Sequence, residues 1–364
     1  MIKMNDFAGE PEELLQEQIS AVEKVLRSGW YVLGPEVKNF EKLWAENCLV
    51  NHAVGVANGM EALEIGLLSL NLQPDDEIIT TPMTAFATVL AIIRAGAVPV
   101  LADIDPQTGL LDPDSVERCI SPKTKAILLV HLYGQIRQMD RWQDLYQHYN
   151  LTLLEDCAQC HLATWQGQAG GSFGIWGAYS FYPTKNLGAI GDAGALVTND
   201  LAIAQQAIIL RNYGQTQRYH HPEIGLNSRL DELQAALLSV RLKWLAEFTQ
   251  QRKYIANCYL TKITNPKITL LDPPQDQENH VYHLFVIKTD QRERLMEHLN
   301  KSEINNLSHY PIPIHHQEPC LGIRTDPQGL KYAEIHADQC LSLPCHPQMT
   351  DPQILRVIEV INEY

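Results

Sequence analysis

Between residues 50 and 200, short apolar runs alternate with amphipathic stretches, and this rhythm constrains the fold more than any other feature of the chain. Seven runs read as strands: "HAVGVA" (52–57), "DEIITT" (76–81), "AVPVLAD" (97–103), "KAILLVHLY" (125–133), "LTLLED" (151–156), "GAYSFY" (177–182) and "GALVTN" (194–199). Most are apolar throughout rather than alternating, as expected of strands covered on both faces. The gaps hold helical patterns, among them "GMEALEIGLLSLN" (59–71), "TAFATVLAIIRAG" (84–96) and "MDRWQDLYQHYN" (139–150). Strand–helix alternation predicts an α/β fold, a seven-stranded and mostly parallel sheet with flanking helices. Only a Gly-rich loop joins the last two runs, so they are expected to pair differently from the rest.

Residues 229–249, "RLDELQAALLSVRLKWLAEFT", read as one long amphipathic helix, with Leu230, Leu233, Ala236, Leu237, Val240 and Leu245 at near-helical spacing. Beyond it, "LDPPQDQEN" (271–279) is a polar, Pro-containing connector. A strand-type segment (279–290) and a helical one (291–304) follow. The division expected is a large α/β domain over 1–249, with an N-terminal arm, and a smaller α+β domain over 250–364.

The formal net charge of −15, with no basic block, argues against a nucleic-acid surface. No apolar run approaches the ~18 residues of a membrane span. The start of the chain, "MIKMNDFAGEPEELLQEQ", lacks a signal-peptide core, so a cytoplasmic protein is expected. Eight cysteines are scattered, with a CxxC at Cys157 and Cys160 but no second half-site beside it. Reduced, buried thiols and no metal are the expectation.

In open α/β sheets, ligands bind beyond the carboxyl ends of the strands. After the first strand, Gly59 and Met60 open a helix whose free N–H groups suit an anion. After the second, Phe86 brings a ring to the same edge. The fifth ends on Asp156, a carboxylate that is costly to bury unless paired. The sixth leads through Ser180 to Lys185, a lone amine among Phe181, Tyr182, Pro183 and Leu187. Lysine, acid, aromatic plate and anion-binding turn together suit pyridoxal phosphate, for which a lysine forms the Schiff base and an acid keeps the ring nitrogen protonated. No strand is followed by a GxGxxG or P-loop pattern.

Several long motifs then resemble the DegT/StrS family of sugar aminotransferases, within the fold-type-I pyridoxal phosphate enzymes. They include "GWYVLGPEVKNFEKLWAE" (29–46), "LLEDCAQCH" (153–161), "SFYPTKNLGAIGDAGALVTND" (180–200), "GLNSRLDELQAA" (225–236), "HYPIPIHHQ" (309–317) and "LPCHPQMTD" (343–351). The resemblance implies roles residue by residue. Lys185 carries the cofactor and moves the proton, and Asp156 pairs with the ring nitrogen. Gln159 lies by the ring hydroxyl and Phe86 stacks on the ring. Gly59, Met60 and Ser180 hold the phosphate. Asn227 reaches the phosphate of a neighbouring subunit, which implies a homodimer with composite sites. Cys160 and Leu162 depart from the family's AQAHGA, and Met60 stands where threonine is usual.

The implied reaction moves an amino group from L-glutamate to a nucleotide-linked keto sugar and releases 2-oxoglutarate. Gln159 with His161 resembles members acting on 3-keto deoxysugars, so a dTDP-3-keto-6-deoxyhexose is expected. The alternative is a 4-keto sugar, whose enzymes often carry histidine where Gln159 stands. His161, Tyr182, Tyr213, His309, Tyr310 and His315 are candidates to line the sugar region, and Tyr31 to reach a site across the dimer. A dehydratase of the same fold would replace Lys185 with histidine. A regulatory or binding protein of this fold would have no need of the lysine and the acid.

Overall fold

The computed structural model describes residues 1–364. The strands are β1 (His52–Val56), β2 (Glu77–Thr80), β3 (Val98–Leu101), β4 (Thr124–Val130), β5 (Thr152–Asp156), β6 (Thr164–Trp165), β7 (Gln168–Ala169), β8 (Gly177–Ser180), β9 (Gly194–Thr198), β10 (Thr269–Leu270), β11 (Phe285–Lys288) and β12 (Cys340–Leu343). The helices are α1 (Glu12–Ser28), α2 (Pro35–Asn47), α3 (Gly59–Leu68), α4 (Phe86–Arg94), α5 (Pro113–Cys119), α6 (Met139–His148), α7 (Leu201–Leu210), α8 (Glu232–Leu242), α9 (Leu245–Lys262), α10 (Arg292–Lys301), α11 (Lys331–Gln339) and α12 (Asp351–Glu363).

All seven expected strands lie in one sheet, in the order β1-β9-β8-β5-β4-β2-β3. The β3-β2-β4-β5-β8 pairings are parallel. β9 runs antiparallel to both β8 and β1, as its short Gly-rich connection to β8 requires. The unbroken apolar runs have a direct cause. Ile79, Ile127, Leu153 and Tyr179 face one core, while Ile78, Leu128, Leu154 and Ala178 face another on the opposite side. Alternate residues of a strand point to opposite faces, so a sheet buried twice needs apolar side chains at every position.

The same alternation separates the two acids at the end of β5. Glu155 is fully buried and accepts N–H groups from Gly171, Phe173 and Gly174 at 2.7–2.8 Å, and His131 Nε2 lies 2.8 Å away. It clamps the 171–174 loop beneath the sheet. Asp156 points the other way, toward the helix N-termini. Glu232 plays a similar clamping part, accepting the N–H groups of Gly34, Glu36 and Val37 at the start of α2.

One expected helix is two. Lys243 and Trp244 bond back to Val240 and Arg241, three residues earlier, and these tightened bonds break the 229–249 segment between α8 and α9. A period-3.6 pattern cannot register this, because the apolar spacing continues across the break. α9 then runs through the 249/250 position. Leu245 packs in the core under the large sheet, whereas Ile255, Ala256 and Tyr259 pack in the core of the β10-β11-β12 sheet with α10 and α12. Ile2 belongs to that second core as well and bridges to Ile304. The first residues of the chain thus pack with its end. No helix is long and apolar enough to cross a membrane.

Candidate active site

A cavity of about 500 Å³ opens at the carboxyl ends of β1, β5 and β8. Gly59, Met60, Asp156, Gln159, Ser180, Tyr182, Lys185, His309 and Tyr310 all line it. Nine of the fifteen residues singled out from the sequence therefore meet in one place, from segments more than 250 residues apart.

β5 and β8 are neighbours in the sheet, so Asp156 and Ser180 end adjacent strands. Lys185 stands on the tight loop that follows. Its backbone N–H bonds Tyr182 O at 2.8 Å, and Ala189 N–H closes the loop on Phe181 O at 2.7 Å. Gly188 lies against the Pro183 carbonyl with no room for a Cβ, which explains the small residue there. Burial pushes the Lys185 ammonium down to about 8, opposed by the nearby charge of Asp156. Asp156 is itself pushed up by burial, against hydrogen bonds from Thr88 Oγ1 (2.8 Å) and Ala158 N–H (3.1 Å). Lysine and acid therefore face one cavity, Asp156 from the end of β5 and Lys185 from the loop after β8.

The start of α3 lines the cavity beside the end of β8. Asn58 caps it, accepting Glu61 N–H at 2.9 Å. The first N–H groups of a helix have no partner inside it, so those of Gly59 and Met60 remain for a ligand. Gly59 packs so closely on Ser180 that a Cβ would stand 2.5 Å from the serine's own. Gln159 is fixed at both ends: its Oε1 accepts Tyr133 N–H at 2.7 Å and its Nε2 donates to Tyr310 Oη at 3.3 Å. Tyr133 Oη in turn donates to His309 O at 2.6 Å. Burial holds His309 down at about 4, so the ring is neutral at pH 7.

Six candidates lie elsewhere. His161 is fully buried behind the cavity, with Nε2 3.0 Å from Ser180 O and its ring packed among Trp44, Tyr179 and Phe181. It supports the β8 end rather than lining the sugar region. His315 is drawn away by Glu334, 3.2 Å from its Nε2. Phe86 begins α4 between Ala85 and Ala87, which line the cavity, while its own ring packs toward the core that holds Met83 and Leu132. Tyr31, Tyr213 and Asn227 are on the exposed surface, Tyr213 with the Arg229 guanidinium 5.4 Å above its ring.

Sequence reasoning missed Thr88, Asp192 and His283, which also line the cavity. Thr88 was hidden in an apolar helix, and His283 lies in a segment read only as a strand. His283 Nδ1 sits 3.3 Å from Asn186 Oδ1, and burial keeps the ring neutral. Behind it, the fully enclosed Arg252 of α9 donates to the carbonyls of Tyr282, His283 and Cys345. All eight cysteines are free and buried, and burial pushes the Cys157 thiol up.

Known proteins of this shape are close. The chain is 42% identical over 361 residues to a dTDP-3-amino-3,4,6-trideoxy-alpha-D-glucose transaminase of Streptomyces venezuelae, covering 99% of this chain and 95% of that one. Its structure matches S. venezuelae DesV in complex with a ketimine intermediate, with a TM-score of 0.95 and 42% identity over 100% of this chain and 98% of the other. It also matches NtdA of Bacillus subtilis with bound cofactor PMP, with a TM-score of 0.90 and 31% identity over 98% and 82% of the two chains. Residues 12–362 match the DegT/DnrJ/EryC1/StrS aminotransferase family, and the chain belongs to it.

Proposed function

We propose that this aminotransferase moves the amino group of L-glutamate to C3 of a dTDP-linked 3-keto-6-deoxyhexose, with pyridoxal phosphate held in the β5–β8 cavity. The observation that carries the reading is the pairing of a desolvated Lys185 with a buried Asp156 around one space. Members of the family depend on pyridoxal phosphate. The residues present fit it. Two unpartnered N–H groups and a serine hydroxyl stand together for a phosphate, and a carboxylate and an amine line the same cavity. When bound, that cofactor supplies an electron sink for the carbon that loses its proton.

The chain's own groups do the rest. Lys185 Nζ, neutral in a useful fraction near pH 8, would take the α-proton of the donor and return it two atoms along, on the far side of the nitrogen being transferred. Asp156, held by Thr88 and Ala158, would keep a proton on the ring nitrogen. Gln159 would stand by the ring hydroxyl, and Tyr310, His309 and Tyr182 would line the sugar end. The 3-amino sugar named for the S. venezuelae relative supports C3.

The reading extends to a homodimer. Trp30, Tyr31, Val32, Tyr213, Tyr219 and Ile224 are exposed apolar groups on the surface that carries Asn227, and Ile224 is 97% exposed. Contact with a second copy would cover them and bring Asn227 to the partner's phosphate. The large and small domains proposed meet at the cavity, one supplying Lys185 and Asp156, the other His283, His309 and Tyr310.

The deciding experiment is a substrate panel of 3-keto and 4-keto dTDP sugars with glutamate as donor. The 3-keto sugar should react and 2-oxoglutarate appear in equal amount. Preference for a 4-keto sugar would overturn the substrate. Borohydride reduction of the coloured enzyme should fix the cofactor's mass on the peptide holding Lys185, and label on another lysine would overturn the site.

A further inference from the structure

The histidine pair that the cavity does not use stands outside it, on a one-turn 3-10 helix over Ile314–His316. His315 Nε2 lies 3.2 Å, and His316 Nε2 3.8 Å, from the same oxygen of Glu334 on α11. The three donor atoms all fall within 4.8 Å of one another. We propose that His315, His316 and Glu334 form a three-ligand site for a borderline divalent cation, Zn²⁺ in the first instance.

The spacing suits the ion. Zinc bound to nitrogen and oxygen at 2.0–2.1 Å in a tetrahedron sets its ligands about 3.4 Å apart. The two nitrogen–oxygen separations bracket that edge. The donor set of two imidazoles and one carboxylate suits zinc rather than the hard ions, which take oxygen ligands. Both platforms are fixed before any ion arrives. Ile314 is buried and its N–H bonds Pro82 O at 3.0 Å. The first turn of α11 is tied to Asp103, whose carboxylate accepts the N–H groups of Tyr332 and Ala333 at 2.9 and 2.8 Å. The ligands of a bound ion would therefore be pre-positioned by elements that do not touch it.

The site is also accessible. Side chains of His316 and Glu334 are 53% and 48% exposed, so an ion enters from solvent and keeps a water in its fourth position. An ion here would pin the turn that follows His309 and Tyr310 to α11. The other cluster of this kind, His131 with Cys157 and Cys160, is sealed in the core, and His131 Nε2 is already engaged by Glu155.

The test uses the full chain without an affinity tag, stripped of metal by a chelator. Titrated with Zn²⁺, it should bind one equivalent in the micromolar range, and its Tm should rise with concentration. His316→Leu and Glu334→Gln should each weaken binding by about tenfold or more while leaving the thiols untouched. With Co²⁺ as probe, the visible spectrum should show nitrogen and oxygen ligation. Failure to bind, binding unchanged in both variants, or a thiolate-to-cobalt band would each overturn the proposal.

Discussion

Thr88 Oγ1 donates to Oδ2 of Asp156 across 2.8 Å, joining the first turn of α4 to the end of β5. Thr84 Oγ1 lies 2.7 Å from the same hydroxyl, so the chain of contacts continues into the preceding turn. A buried carboxylate needs such partners to stay charged and aimed. Thr88→Val keeps the shape and removes the donor. A hydrogen bond to a charged group is worth about 1.5–3 kcal/mol, so we expect kcat to fall ten- to a hundredfold with the fold intact. Steady-state kinetics beside a thermal melt would check this. Unchanged kcat would mean that Ala158 N–H alone orients the acid.

The depressed Lys185 sets a pH dependence that can be read without turnover. Only the neutral amine captures the cofactor's aldehyde. The rate of colour formation by the cofactor-free protein should rise with pH around a midpoint near 8, rather than near the ordinary 10.5. The stability effect has the matching sign. As pH falls from 10.5 to 8, the unfolded chain takes a proton that the native state does not, and the native state loses stability relative to a Lys185→Met variant. Chemical denaturation of both proteins at pH 7 and pH 10.5 should show the variant's advantage at the lower pH.

Acid should weaken the fold through its buried histidines. Burial holds His161 and His280 at about 3 and His309 and His336 at about 4. Above pH 6.5 these groups are neutral in both states and contribute no pH dependence. Below it the unfolded chain binds protons first, so each group removes up to about 1.4 kcal/mol per pH unit until its native value is reached. His283, His315 and His346 are held down in the same way, while Asp156, Glu64 and Asp112, pushed up by burial, and His131, raised against burial by its Cys160 and Glu155 neighbours, work in the opposite sense: four groups against seven. Urea midpoints measured from pH 7 down to pH 5 should fall.

Gly59→Ala tests the closeness of α3 to β8. The added methyl would stand 2.5 Å from Ser180 Cβ and 3.0 Å from its Cα, backbone that cannot swing aside. The overpacking should cost about 1–3 kcal/mol. It should also weaken pyridoxal phosphate binding, because the helix start and Ser180 together make up the anion site proposed. Fluorescence titration with the cofactor would report the second effect separately from stability.

Much of this architecture was legible in the chain itself. The seven runs became one sheet because strands buried on both faces leave an unmistakable apolar signature. Lys185 and Asp156 were found because each is the wrong residue for its surroundings unless it has a task. What stayed hidden depends on direction rather than type. His161, two residues beyond Gln159, turns into the aromatic core, and only the backbone path tells them apart. The residue that follows, Leu162, has a φ of 69°, a left-handed conformation in which glycine would be unstrained. Thr88 looked like one more helix residue, and the break between α8 and α9 leaves the apolar spacing undisturbed.

α9 is footed in the packing of both sheets, and its Arg252 grips the backbone that bears His283. It works as a stiff beam between the wall that holds Lys185 and the wall that bears His283, His309 and Tyr310. A beam fixed at both ends sets a width and resists change to it. The space between Lys185 and Tyr310 is therefore set by the packing of the chain rather than by what enters it.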